Sequence, residues 1–128
     1  MEFKRCSSCG TVWETRDKFL ADPCAHLNGY QVNYADLGAG LFLFTHRVSS
    51  CGTTMSIQAD QFTDLHDGPV FAKSLRGTPD CPKLCIRIHE LDACPAHCEC
   101  AFVREVLQKV LNWPKDPGCK AAQRKGNA

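Results

Sequence analysis

A surplus of either charge is missing from this 128-residue sequence: 15 Lys and Arg stand against 14 Asp and Glu, for a net charge of +1. Without a basic face or an acidic block there is no electrostatic footprint for nucleic acid. Long apolar runs are missing as well. The longest covers about residues 41–44, far short of a bilayer span, and residues 1–10 reach a cysteine at position 6 with no apolar segment of signal-peptide length. The expectation is a cytoplasmic chain that engages no membrane. Catalytic signatures are also lacking: there is no Gly-rich phosphate loop, no Gly-x-Ser-x-Gly and no His-Glu-x-x-His. An enzyme is therefore the weaker expectation. Finally, the apolar supply is thin. Hydrophobic residues make up 44% of the chain, but that share includes ten cysteines, and the remainder is modest for a core of this size.

What is abundant is cysteine. Ten in 128 residues is dense enough for a disulfide scaffold in a secreted chain, but in a reducing compartment the same density points to thiolate ligands for a metal. The absent export segment favours metal. Isolated cysteines are often inert and buried, whereas repeated short pairs are not explained that way.

Along the chain, residues 3–13 read as two short strands around a turn at Cys6, Ser7, Ser8, Cys9 and Gly10. Thr15 can cap a short helix over residues 16–21 that ends at Asp22-Pro23. Residues 30–34 and 41–46 read as buried strands, 46–52 as a polar loop, 53–58 as a further strand and 59–65 as a short helix. The best helix covers residues 101–112, where Phe102, Val103, Val106, Leu107, Val110 and Leu111 form a stripe against Arg104, Glu105, Gln108 and Lys109. Trp113-Pro114 stops it. The expected organisation is a single metal-stabilised domain over 1–114 and a polar tail over 115–128, with Cys24 and Cys119 as singletons outside any pair.

Cys6-x-x-Cys9-Gly10 followed by Trp13 resembles the knuckle of zinc-ribbon proteins, in which a hairpin turn offers two thiolates to one tetrahedral zinc. The resemblance covers about eight residues. A closed structural site needs four ligands, so it implies a second pair. His46 and Cys51-Gly52 lie at opposite ends of the loop between two strands, with a glycine after the cysteine as in the first turn, which makes the set Cys6, Cys9, His46 and Cys51. Cys24 or His26 could replace His46. His66 and His89 read as solvated. A Cys51 nucleophile with His46 as base is the nearest catalytic arrangement, and it competes for the same residues.

A second cysteine group is a near-repeat: Cys81-Pro82-Lys83-Leu84-Cys85 recurs thirteen residues later as Cys94-Pro95-Ala96-His97-Cys98. Proline after the first cysteine starts a turn or helix, and helical spacing of four puts both sulfurs on one face. The metal set expected here is Cys81, Cys85, Cys94 and Cys98, with Cys100 as the natural substitute if one of them is not a ligand. Zinc fits two facing pairs. An iron-sulfur cluster, which prefers other spacings, and a pair of disulfides linking Cys81 to Cys98 and Cys85 to Cys94 are the alternatives.

Taken over longer stretches, Gly29-Tyr30-Gln31, Gly40-Leu41-Phe42-Leu43-Phe44, Cys51-Gly52-Thr53-Thr54 and Cys98-Glu99-Cys100-Ala101-Phe102 are similar to small cysteine-rich bacterial proteins. That resemblance carries no activity with it. The reading is a small α+β domain: an antiparallel sheet with zinc-ribbon-like N-terminal hairpins and a C-terminal amphipathic helix packed on it. It would bind one or two zinc ions and act as a non-catalytic structural or regulatory module. Its partner would be another protein, presented with an apolar surface such as residues 41–44 or the last helix. The alternative function is a thiol or iron-sulfur redox sensor or electron carrier.

Overall fold

The computed structural model describes residues 2–119. Residues 120–128 of the expected tail lie outside the described residues. In chain order the main elements are β1 (Lys4–Arg5), β2 (Val12–Trp13), α1 (Arg16–Ala21), β3 (Ala25–Gln31), β4 (Leu41–His46), β5 (Thr54–Gln58) and α2 (Ala101–Leu111). β1 and β2 form a small antiparallel hairpin, and β3, β4 and β5 form a three-stranded antiparallel meander. The fold is α+β, as the sequence pattern predicts.

Local chemistry accounts for several boundaries. Thr15 caps α1 by accepting a hydrogen bond from the Lys18 amide at 3.1 Å, satisfying one donor that the first turn leaves free. Strand β4 occupies residues 41–46 and alternates, with Phe42, Phe44 and His46 buried while Leu41, Leu43 and Thr45 are half-buried. Strand β3 begins at Ala25, earlier than its alternation suggests, because the β3–β4 register shifts between Leu27 and Gly29. The extra residue, Asn28, lets Ala25, Leu27 and Tyr30 all sit opposite the buried side chains of β4. A bulge of this kind breaks a period of two, which is why the sequence shows a strand only near residue 30.

The core is built largely of rings. Phe19 meets Phe44 edge to face with centroids 4.8 Å apart, Phe42 stacks on Phe62 at 5.1 Å, and Trp13 meets Phe19 at 5.0 Å. Aromatic rings supply a large buried area per residue, which suits a chain with few aliphatic side chains to spare. The helix expected over 59–65 is instead two single 3₁₀ turns, Ala59–Gln61 and Thr63–Leu65, parted at Phe62. Phe62 leaves helical geometry with φ −125° and is fully buried against Phe42 and Phe44.

Helix α2 buries Val103, Val106, Leu107 and Val110, as its apolar stripe predicts, but its buried face also carries Arg104, which is 0% exposed. The polar face expected for Arg104 is thus corrected: the buried sector is rotated toward it, leaving Leu111 exposed and Phe102 half-buried. Phe42 and Phe44 are also fully inside the core, so these residues of the proposed apolar docking surface are internal. Among the described residues, no helix is long and apolar enough to cross a membrane.

The long segment between β5 and α2 is anchored to the free edge of β3. The Tyr30 amide donates to the Ile88 carbonyl at 2.8 Å, and His89 Nδ1 lies 2.6 Å from the Asn28 carbonyl oxygen. Close approach there requires Gly29, because a Cβ would stand 3.0 Å from Ile88 Cγ2 and 3.2 Å from the Ile88 carbonyl oxygen. At the other end of the chain, Lys115 Nζ donates to the carbonyls of Asp22 and Ala25, and the Asp116 amide donates to the Ala21 carbonyl. Cys24 and Cys119, expected as singletons outside any pair, are instead disulfide-bonded to each other across 95 residues, with Cys119 buried.

A bridge closing so long a loop removes chain entropy from the unfolded state. Replacing Cys119 by Ser should lower unfolding stability by about 2–4 kcal/mol in urea denaturation. An unchanged midpoint and slope would show that the link adds nothing.

Candidate metal centre

Two turns meet at one end of the meander. The first joins β1 to β2: the Cys6 amide donates to the Thr11 carbonyl and the Gly10 amide to the Cys6 carbonyl, both at 2.8 Å. The second is the β4–β5 loop, in which the amides of Val48 and Gly52 both donate to the His46 carbonyl at 2.9 Å. Each turn ends on a glycine in the left-handed region, Gly10 at φ +82° and Gly52 at φ +76°. That conformation costs glycine little and folds the backbone back beside the cysteine that precedes it.

The turns bring Cys6, Cys9, His46 and Cys51 together. Their donor atoms all lie within 4.8 Å of one another, a geometry that can hold a metal ion. Cys6 Sγ is 3.5 Å from Cys51 Sγ, and Cys9 Sγ is 3.5 Å from His46 Nδ1. Tetrahedral zinc, with bonds of about 2.3 Å to sulfur and about 2.0 Å to nitrogen, places its ligands about 3.5–3.8 Å apart, so both distances suit edges of such a tetrahedron. Cys6 is fully buried and His46 is 2% exposed, whereas Cys9 is exposed and Cys51 half-buried. The imidazole is held from one side by Trp13, whose ring meets it edge on at 5.1 Å.

The alternative ligands are placed differently. Cys24 is committed to its disulfide with Cys119. His26, one residue after the start of β3, pairs with Thr45 and is not a member of the donor group, while His46 is. His66 and His89 each have a carbonyl partner, at Pro69 and Asn28 respectively.

The second cysteine group does not follow the helical spacing expected of it. Lys83 takes the left-handed conformation at φ +64°, and Leu84–Ile86 is a 3₁₀ turn, so Cys81 and Cys85 do not share an α-helical face. Cys81, Cys85, Cys94 and Cys98 are free thiols, so the alternative of two disulfides is not formed. Cys85 Sγ lies 3.4 Å from Cys100 Sγ, and Cys100 Sγ lies 3.5 Å from Cys98 Sγ. Cys81 lines the same small cavity as these three, but Cys94 borders a different groove with His66, Phe71 and His97. The repeat in the sequence therefore does not become a symmetric pair in space.

The charge environment distinguishes the thiols. Hydrogen bonding to Thr11, through its side chain and then its backbone, lowers Cys9 to about 6. The side-chain contact with Cys100 lowers Cys85 to about 6, aided by the Arg104 charge, while the same contact and burial push Cys100 upward. Tyr30 is raised by burial and by the neighbouring Cys85 and Cys100.

No protein-family model matches the chain, and no curated protein or solved structure matches it. The zinc-ribbon resemblance of the first turn thus rests on its own residues.

Because Cys9 is exposed and its thiolate is favoured, metal-free protein should react with iodoacetamide first at Cys9. The rate should fall as pH drops through about 6, where the sulfur takes up its proton, and plateau above it. Thr11→Val should move this midpoint upward, and zinc should suppress the reaction. A wild-type midpoint near the ordinary thiol value of about 8.5 would contradict the assigned role of Thr11.

Proposed function

We propose that the chain is a small zinc protein whose Cys6, Cys9, His46 and Cys51 centre is structural and whose role is that of a non-catalytic structural or protein-interaction module. The observation that carries this is the convergence of four protein donors, three sulfurs and one imidazole nitrogen, all within 4.8 Å. Four protein ligands fill a tetrahedral ion, leaving no open position for water or substrate, and that separates structural from catalytic zinc sites. Sulfur-rich donors with one imidazole favour zinc over the harder magnesium and calcium ions. Bound there, the ion would tie the β1–β2 turn to the β4–β5 loop and supplement a thin apolar core.

A thiol-redox reading of the same centre has one supporting observation. Cys9 is exposed and its pKa is lowered to about 6, the combination that makes a thiolate oxidisable. Metal release by mild peroxide, reversed by reductant and zinc, would favour it over a purely structural role.

Elemental analysis together with circular dichroism tests the main reading. Complete metal removal by a strong chelator should unfold the region of β1, β2 and the β4–β5 loop, and His46→Ala should lose one zinc and lower the thermal midpoint. A metal-free protein with an unchanged spectrum and midpoint would overturn it.

A further inference from the structure

Arg104 poses a problem that the first centre does not solve. Its guanidinium is 0% exposed on α2 and donates through Nε to the Asp92 carbonyl at 2.8 Å and through Nη2 to the Glu90 carbonyl. Among the described residues no carboxylate forms an ion pair with it. Besides these carbonyls its Cζ lies over the Tyr30 ring, 5.8 Å from the centroid; neutral partners offset only part of a buried cation's desolvation cost, so a negative group nearby would stabilise it. The remaining nitrogen, Nη1, points that group out: it lies 3.8 Å from Cys85 Sγ.

Around Cys85 further cysteines gather, less tightly than in the first centre. Cys85, Cys100 and Cys98 run in a chain of sulfurs 3.4 and 3.5 Å apart. Those three and Cys81 line one cavity of about 20 Å³, roughly the space of a single small sphere. Backbone amides already point at the outer sulfurs: Leu75 donates to Cys98 Sγ at 3.2 Å and Lys83 to Cys81 Sγ at 3.4 Å. To present its amide, Lys83 holds a left-handed φ of +64° that is uncommon for a residue with a side chain. Amide donors and a buried guanidinium both stabilise thiolate over thiol. The Tyr30 hydroxyl, buried beside this group, has no hydrogen-bond partner among the described residues.

We infer that Cys81, Cys85, Cys98 and Cys100 form a second, all-thiolate site for a tetrahedral divalent ion of the zinc class, with Arg104 as its buried counter-ion and Cys94 outside it. Four thiolates around one divalent ion leave net negative charge, which is what the buried guanidinium lacks. A neutral disulfide between Cys85 and Cys100 would leave Arg104 uncompensated. The set is more open than the first, and binding would draw its sulfurs inward. It involves no residue of the first centre and does not depend on it.

The test is zinc content of the full chain, purified and reloaded with zinc alone, in wild type and four single variants. Wild type and Cys94→Ser should hold two zinc ions, whereas Cys51→Ser and Cys100→Ser should each hold one. In a chelator competition Arg104→Met should weaken the second ion about ten- to a hundredfold and leave the first unchanged. X-ray absorption of the zinc-loaded wild type should show an average sulfur number between three and four, a readout that needs no variant to fold. One ion in wild type that Cys51→Ser abolishes overturns the second site while leaving the first intact. One ion that survives Cys51→Ser but not Cys100→Ser sinks the first centre and supports the second. Loss of an ion in Cys94→Ser with none lost in Cys100→Ser overturns the ligand set.

Discussion

Trp13 is the contact through which the hydrophobic core and the first cysteine centre support each other. Its ring meets Phe19 at 5.0 Å on one side and His46 at 5.1 Å on the other, and its indole Nε1 donates to Asp22 at 2.8 Å. Asp22 ends α1 and also accepts the Cys24 amide. A single side chain thus fixes the β1–β2 hairpin, the end of the helix and the orientation of the imidazole. Ring packing is suited to this, since aromatic pairs combine large buried area with preferred relative orientation.

The molecule distributes its cysteines among distinct physical tasks. Cys6, Cys9 and Cys51 converge with His46, Cys24 bonds Cys119, and Cys81, Cys85, Cys98 and Cys100 surround one cavity. Each group joins segments far apart in the chain. Such links matter most where apolar area is scarce, because each one limits the conformations open to the unfolded chain or offsets its ordering on binding. Disulfide and metal are competing explanations of a cysteine-rich composition, yet the structure contains a disulfide alongside Cys6, Cys9 and Cys51, which with His46 could hold a metal ion. Composition reports the number of sulfurs, whereas distance and neighbouring charge separate their uses.

Arg104 shows how a charge can be misread from a helical pattern. Placed opposite Val103, Val106 and Val110 by sequence, it is instead fully buried with its head against carbonyls and a cysteine sulfur. A helical stripe has no sharp edge, and a long side chain at its margin can enter the core wherever polar partners await it. Those partners come from residues 85–92, a segment with little regular structure, and no periodicity announced them.

The sequence by itself determined the local devices: the Thr15 cap, the glycines that close both turns, strand β4 and the apolar residues of α2. These depend on side chains a few positions apart, within reach of one another whatever the rest of the chain does. Spacing also singled out Cys6, Cys9, His46 and Cys51, because each pair sits at the end of its own hairpin. Tertiary structure alone decided that Cys24 reaches Cys119 and that Cys100, rather than Cys94, lines one cavity with Cys81, Cys85 and Cys98. The Asn28 bulge, the Gly29 contact with Ile88 and the left-handed turn at Lys83 were likewise visible only in three dimensions. Each shifts which side chains face each other without leaving a period in the sequence, so long-range packing decides pairings that spacing leaves open.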